Sequence, residues 1–304
     1  MSPRRGTYSI VAHDRASGQI GVAVQSHWFS VGSIVSWARP GIGAVATQSI
    51  VEPADGPRLL DRLAEGEKPK AALAAELEAD ELSDVRQVGL VDARGRTAVH
   101  TGGRCIEHAG DQGGEGFSAQ ANMMASAEVW PRMAAAFEAA QGPLARRMLA
   151  ALEGAEEAGG DIRGRQSAAI VVVGAEGEPW QREVELRIED ADRPLVELRR
   201  LLDLHDAYAL ADRADTLAGE GRHSEAAQLY VDAAAAAPAN VELAFWAGLG
   251  LAAGGRVAVG AARVRGVIAI EGAWARLLAR LDPEVAPGAE SVRQALGIKR
   301  LPDA

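Results

Sequence analysis

The sequence predicts an α+β protein: a four-layer αββα sandwich assembled from antiparallel hairpins, followed by a small unit made only of helices. Three observations carry this. Strand signals arrive in hairpins, in the order strands, two helices, strands, two helices, strands, helix. The opening strands are apolar on both faces, as they must be when a second sheet covers one side and helices the other. From about Asp206 the composition turns to nearly pure helix. The predicted divisions are a leader over 1–6, a sandwich domain over 7–205 and a helical unit over 206–304.

Tyr8, Ile10 and Ala12 alternate with Ser9, Val11 and His13. After the turn from Asp14 to Gly18, Ile20, Val22 and Val24 alternate with Gly21, Ala23 and Gln25, giving a doubly buried hairpin. Strands recur at 33–38 and 43–49 about the turn Arg39, Pro40, Gly41. Leu59, Leu60 and Leu63 mark one amphipathic helix; Ala71, Leu73, Ala74 and Leu77 mark a second, opened by Lys68 and Pro69. A hairpin over 87–91 and 96–101 follows, then a glycine-rich loop over 110–116 and a strand over 117–120. Met133, Phe137 and Ala140 define the next helix, and Leu144, Met148 and Leu152 its partner. Strands at 168–173 and 183–188 and a helix bearing Leu195, Leu198, Leu202 and His205 close the unit.

Beyond it, "GEGRHSEAAQLYVDAAAAAPAN" is similar to a tetratricopeptide repeat, with Gly221 in the turn, then Ala226, Tyr230, Ala233 and Pro238. Gly248 and Gly255 continue the spacing, but Gly260 and Val264 stand where an alanine and an aromatic belong, leaving about one and a half repeats. Two readings stay open: a helical appendage packed on the main domain or on a second copy of the chain, and a groove for a peptide.

A formal net charge of −10 over 304 residues, with basic residues interspersed among acids, argues against nucleic acid and anionic membranes as partners. The single cysteine, Cys105, excludes an internal disulfide. No long apolar run or signal segment is present, so the expected location is the cytoplasm. The six histidines include no i, i+4 pair, and Cys105 with His108 lacks two further ligands, so no metal and no cofactor are expected. Cys105 reads as a small buried hydrophobe.

The chemistry gathers at Gly6-Thr7. A threonine hydroxyl becomes a nucleophile when a base takes its proton, and an α-amino group on the same residue, with a pKa of about 8, can be that base. Removing Met1 exposes Ser2, so Thr7 gains a free amine only if the chain is cut after Gly6. The plain alternative is a flexible glycine before an ordinary β-branched strand starter.

Three blocks, "TYSIVAHDRASGQIGVAVQSHWFSVGSIVSWARPGIGAVATQ", "RQVGLVDARGRTAVHTGGRCIEHAG" and "GGDIRGRQSAA", resemble the signature of domain-of-unknown-function family 1028, whose fold resembles the Ntn (N-terminal nucleophile) hydrolases. The resemblance covers about Thr7 to His205. Some family members carry an extension described as peptidoglycan-binding, which residues 245–281 resemble. The resemblance implies an αββα sandwich and amide hydrolysis by an N-terminal residue, here Thr7. It implies a basic residue beside the nucleophile, for which Arg39 is the candidate, with a surface turn arginine as the plain alternative.

Ser26, His27 and Ser30 lie near Gly32 at a strand end, where backbone N–H groups stabilise an oxyanion; a satisfied, half-buried ring is the plain reading of His27. Asp161 is a candidate to orient the hydroxyl or amine, and Arg163 or Arg165 to clamp a substrate carboxylate, with Gln166 and Ser167 on the same loop. Gln48 and Asn122 are candidate oxyanion donors, or amides that satisfy buried backbone. The chain departs from the family pattern at His108 and Asp111, where an aromatic and a histidine are expected, and at Ala121, where a glycine usually precedes Asn122. Two functions are carried forward: an amidohydrolase acting on a small-molecule amide or ureido C–N bond, and a non-catalytic binding or scaffolding protein. In the second, the helical unit engages a peptide, a glycan fragment or a second copy, making a homodimer.

Overall fold

A computed structural model describes residues 6–301, so all of the predicted leader except Gly6 lies outside the described residues. The chain is a mixed α/β protein with antiparallel sheets and a C-terminal helical region, and it divides into two compact units between Arg200 and Leu201.

The first unit opens with the hairpin β1 (Thr7–His13) and β2 (Ile20–Ser26). A one-turn helix α1 (Gly32–Val35) leads into β3 (Ser36–Arg39) and β4 (Gly43–Ser49). The predicted strand over 33–38 is therefore corrected: its first half is a helical turn, closed by Val35 N–H donating to the Val31 carbonyl, although Ile34 and Val35 favour strands by themselves. Helices α2 (Asp55–Ala64) and α3 (Pro69–Glu78) follow, then β5 (Arg86–Asp92) and β6 (Thr97–Thr101). The predicted glycine-rich loop is a strand, β7 (Gly110–Gly114), paired to β8 (Phe117–Asn122). Its glycines serve contact, since a Cβ on Gly110 would lie 2.5 Å from the Trp130 ring and one on Gly114 2.2 Å from the Phe117 ring. Helices α4 (Val129–Ala139) and α5 (Leu144–Glu157), strands β9 (Ser167–Val173) and β10 (Val184–Ile188), and α6 (Pro194–Gly219) complete the order. The last is one 26-residue helix, so no break occurs at the expected boundary near Asp206.

The larger sheet runs β10-β9-β2-β1-β8-β7 and the smaller β3-β4-β5-β6, with every pair antiparallel. Val11, Val22 and Val24 of the larger sheet pack against Ala44, Ala46 and Val91 of the smaller in one buried cluster. Each fully buried Val, Leu or Ile stabilises by about 1.5–3 kcal/mol. The outer face of the smaller sheet, with Val45, Val88 and Leu90, is covered by Leu59, Leu60 and Leu73 of α2 and α3. Over the larger sheet, α5 approaches closely enough that a Cβ on Gly21 would meet the Met148 methyl at 2.6 Å, and the Phe137 ring of α4 packs on Phe117 in a tilted arrangement, centroids 4.7 Å apart. The register aligns one end of the larger sheet: Thr7 faces Ser26 and Asn122, and Ser26 faces Ser167.

The second unit continues with α7 (His223–Ala236), α8 (Val241–Ala253), α9 (Val257–Ile270), α10 (Ala273–Arg280) and α11 (Ala289–Leu296). Phe245, Leu249, Val264 and Val292 form its core. A Cβ on Gly260 would lie 2.2 Å from the Gly248 carbonyl, so glycine at 260 lets α8 and α9 come into backbone contact.

Candidate functional site

Thr7 begins β1 with its side chain facing the smaller sheet, and it is 1 % exposed. Its hydroxyl donates to Ser26 Oγ at 3.1 Å, and Ser26 Oγ in turn donates to the Gly6 carbonyl oxygen at 2.5 Å. Arg163 Nη2 donates to that same carbonyl at 2.8 Å. The oxygen of the Gly6–Thr7 peptide thus accepts from one hydroxyl and one guanidinium, the charge-assisted bond being the stronger type.

Asp161 organises this corner. Met123 and Ala125, just beyond β8, bond to the main chain at Ile162 and Gly160, which fixes Asp161 opposite Met124. One carboxylate oxygen accepts from Arg163 Nη2 at 2.7 Å and from the His27 N–H at 3.1 Å; the other accepts from Arg163 Nε at 3.1 Å. Both oxygens lie against Gly6: a Cβ there would sit 2.8 and 2.9 Å from them, which is the physical reason for glycine before Thr7. Below the loop, the buried Tyr8 donates to Glu156 at 2.7 Å, and Glu156 pairs with Arg165. Burial, followed by the Glu156 charge, pushes the Tyr8 phenol well above its ordinary range, so it remains a donor.

The Thr7 carbonyl faces the inter-sheet layer. Gln48 Nε2 donates to it at 3.2 Å and Asn122 Nδ2 at 3.4 Å. Both amides also donate to Gln87 Oε1, at 2.7 and 3.0 Å. Gln87 Nε2 reaches the Ala121 carbonyl at 2.9 Å, while Ser9 Oγ donates to Gln48 Oε1 and accepts from Gln120 Nε2, each at 2.6 Å. Gln48 and Asn122 are followed by Ser49 and Met123, whose φ angles of 71° and 59° lie in the left-handed region. Non-glycine residues held there store strain of the kind found at functional sites.

The structure brings together Thr7, Ser26, Asp161, Arg163, Gln48 and Asn122, with the His27 main chain. It corrects the placement of Arg39. Arg39 faces Gly43 across the β3–β4 pair and bonds Asp61 at 2.8 Å, whereas the Thr7 contact comes from Gln48 near the opposite end of β4. Arg163, which with Arg165 was a candidate substrate clamp, donates to the Gly6 carbonyl. Gln48 and Asn122 hold the Thr7 carbonyl itself, and the His27 ring meets the Arg165 carbonyl at 3.1 Å. Ser167 ties the loop after β2 to β9, accepting from Val31 N–H and donating to the Trp28 carbonyl; Ser30 accepts from Arg187, and Gln166 bonds Asp190. Cys105 is half-buried and donates to the Arg86 carbonyl at 3.3 Å.

Sequence reasoning passed over Ser9, Gln87 and Gln120. Their signal is present, since each is a polar residue at an inward position of an otherwise apolar strand. Among the described residues, no helix is long and apolar enough to cross a membrane.

Fold and site together define a mixed α/β protein of two antiparallel sheets with a buried threonine at the start of an inner strand, its preceding carbonyl held by donors. The chain belongs to a family of unknown function, DUF1028, whose model matches residues 7–198. It is similar to the crystal structure of a DUF1028 protein from Silicibacter pomeroyi, at 31% identity and a TM-score of 0.60, covering 65% of this chain and 88% of that one. No curated protein matches the chain.

Proposed function

We propose that the chain is an amidohydrolase of the N-terminal-nucleophile type, with Thr7 as nucleophile and a small amide or ureido compound as substrate. In this reading the first unit is an Ntn-type αββα sandwich, the second a TPR-like helical unit, and the protein works in the cytoplasm. The observation that carries it is the Gly6 carbonyl, which accepts from Ser26 and Arg163 while the adjacent Thr7 hydroxyl donates to Ser26.

That geometry supports self-processing by an N-to-O acyl shift. Thr7 Oγ attacks the Gly6 carbonyl carbon as its proton passes to Ser26 and the Ser26 proton passes to the carbonyl oxygen, with Arg163 stabilising the charge that develops there. The C–N bond breaks as that proton reaches the Thr7 nitrogen, leaving an ester that water hydrolyses to a Gly6 carboxylate and a free Thr7 amine. The amine then serves as base for the Thr7 hydroxyl. A substrate carbonyl takes the place vacated by Gly6, between Ser26 and Arg163; Thr7 Oγ bonds to its carbon as the amine or ammonia departs with the proton, and water hydrolyses the resulting ester to release the acid and restore the Thr7 hydroxyl. Asp161 holds Arg163 in place throughout.

Intact-mass measurement tests this: a species beginning at Thr7 is expected, and Thr7→Ala abolishes both it and turnover of small amides and ureido acids, read as released amine or ammonia. Ser26→Ala is expected to slow the cut by about 10²–10³-fold, the effect of removing one oxyanion donor. A chain that stays joined at Gly6–Thr7 yet turns over substrate overturns the proposal.

A second reading, a binding or scaffolding protein that keeps the fold without the reaction, is favoured by the burial of Thr7, whose hydroxyl is already engaged. It expects an intact junction and no turnover by any form of the chain.

A further inference from the structure

The second unit contains a cavity of about 530 Å³. It is walled by α6, α7, α8 and the loop between α10 and α11, and it is unrelated to the reaction proposed at Thr7. Tyr208, Tyr230 and Trp246 line it, together with the carboxylates Asp212, Asp215, Glu242 and Glu284. No lysine or arginine is among the described residues that line it, although the same unit carries arginines at 222, 263 and 276.

Two of the carboxylates are aimed by tyrosines. Tyr208 Oη donates to Glu242 Oε2 at 2.7 Å, and Tyr230 Oη donates to Asp215 Oδ1. Each pair fixes one carboxylate oxygen and leaves a second lone-pair face for another donor. Gly250 admits the Tyr230 ring, since a Cβ there would lie 2.3 Å from it. Carboxylates beside aromatic faces suit a cation twice over, through charge-assisted hydrogen bonds and through the ring quadrupoles.

Shape narrows the occupant. The α6 wall runs from Tyr208 to Gly219, which at 1.5 Å per residue is about 16 Å. That length matches about five residues of extended peptide at roughly 3.3 Å each. The four carboxylates come from two helices and a loop: Asp212 and Asp215 from α6, Glu242 from α8 and Glu284 from the segment before α11.

We infer that this trough binds an extended peptide segment carrying at least two arginine or lysine side chains, its charges met by Asp212, Asp215, Glu242 and Glu284. The test uses the full-length protein and calorimetric titration with acetyl-Ala-Arg-Ala-Arg-Ala-amide. The glutamate counterpart of that peptide and arginine amide are the comparison ligands.

The arginine peptide is expected to bind at least tenfold more tightly than arginine amide and to weaken as salt rises, while the glutamate peptide does not bind. Asp212→Arg with Glu284→Arg, both at exposed positions, is expected to weaken binding at least tenfold. Glu81→Arg with Glu107→Arg, exposed in the first unit, makes the same change in net charge and is expected to leave binding within twofold. Each groove reversal alone is expected to weaken binding at least threefold, which keeps the test valid if the pair unfolds. Absence of binding at millimolar peptide overturns the inference. So does equal weakening by the Glu81/Glu107 pair, which shows mere attraction to an acidic protein, or arginine amide binding as tightly as the peptide, which shows a single-cation cavity.

Discussion

The layer between the two sheets has two halves of opposite character. In one, Val11, Val22 and Val24 meet Ala44, Ala46 and Val91, and nothing but apolar surface is buried. In the other, Ser9, Gln48, Gln87, Gln120 and Asn122 are equally buried, and their amides and hydroxyls are bonded to one another and to the Thr7 carbonyl. Burial stabilises in the first half without specifying any single atom. The second half gains little net energy per hydrogen bond but loses much if one member is removed, so it acts as a jig that sets one backbone carbonyl. The divide teaches that the apolar half holds the sandwich together and the amide half positions its candidate nucleophile.

The sharpest way to break this comparison is Gln87→Leu. It strips partners from Gln48, Asn122 and the Ala121 carbonyl at once, and is expected to cost about 3–5 kcal/mol in urea unfolding. Val22→Ala, the reference change in the apolar half, is expected to cost about 2 kcal/mol and to leave any cut at Gly6 unaffected. Should the valine change prove the costlier, the jig is only loosely built.

Gln25 sharpens the contrast with the opposite sign. It is fully buried, and among the described residues neither of its side-chain polar atoms has a hydrogen-bond partner. Gln25→Met is therefore expected to stabilise by about 1 kcal/mol, seen as a higher urea midpoint.

The smallest effect lies outside the layer, at the start of α2. Burial first, then the charge of Glu76, push the Asp55 carboxyl up to about 6. An acid whose folded value exceeds its unfolded value of about 4 binds its proton more tightly in the native state. Its contribution is full below that unfolded value and is lost as pH rises through about 6. Asp55→Asn is expected to flatten that part of the stability–pH curve while leaving the amide layer untouched.

Most of the sandwich was legible because alternation over Tyr8–Ala12 and Ile20–Val24 leaves one way to bury both strand faces. The one-turn helix at Gly32–Val35 was not, since β-branched Ile34 and Val35 speak for a strand and the backbone bonds to Ser30 and Val31 decide otherwise. The long α6 was read short because its apolar spacing continues past His205 into what composition marks as another unit. At the candidate site, Thr7, Ser26, Asp161 and Arg163 could be found because strand ends and loops concentrate chemistry. Arg39 was misplaced for a topological reason: nearness to a turn says nothing about which end of the sheet that turn occupies. Gln87 was passed over because one inward glutamine is a weak signal until Gln48 and Asn122 are seen to meet at its oxygen.

The outermost strands of the larger sheet have a bearing on how the protein behaves in crowded solution. β7 presents glycines and Asp111, and β10 alternates Glu185 and Arg187 with Leu186 and Ile188. Neither border offers the long, uncharged ribbon on which a neighbouring molecule could add strand upon strand, so the sheet terminates itself and resists fibre growth.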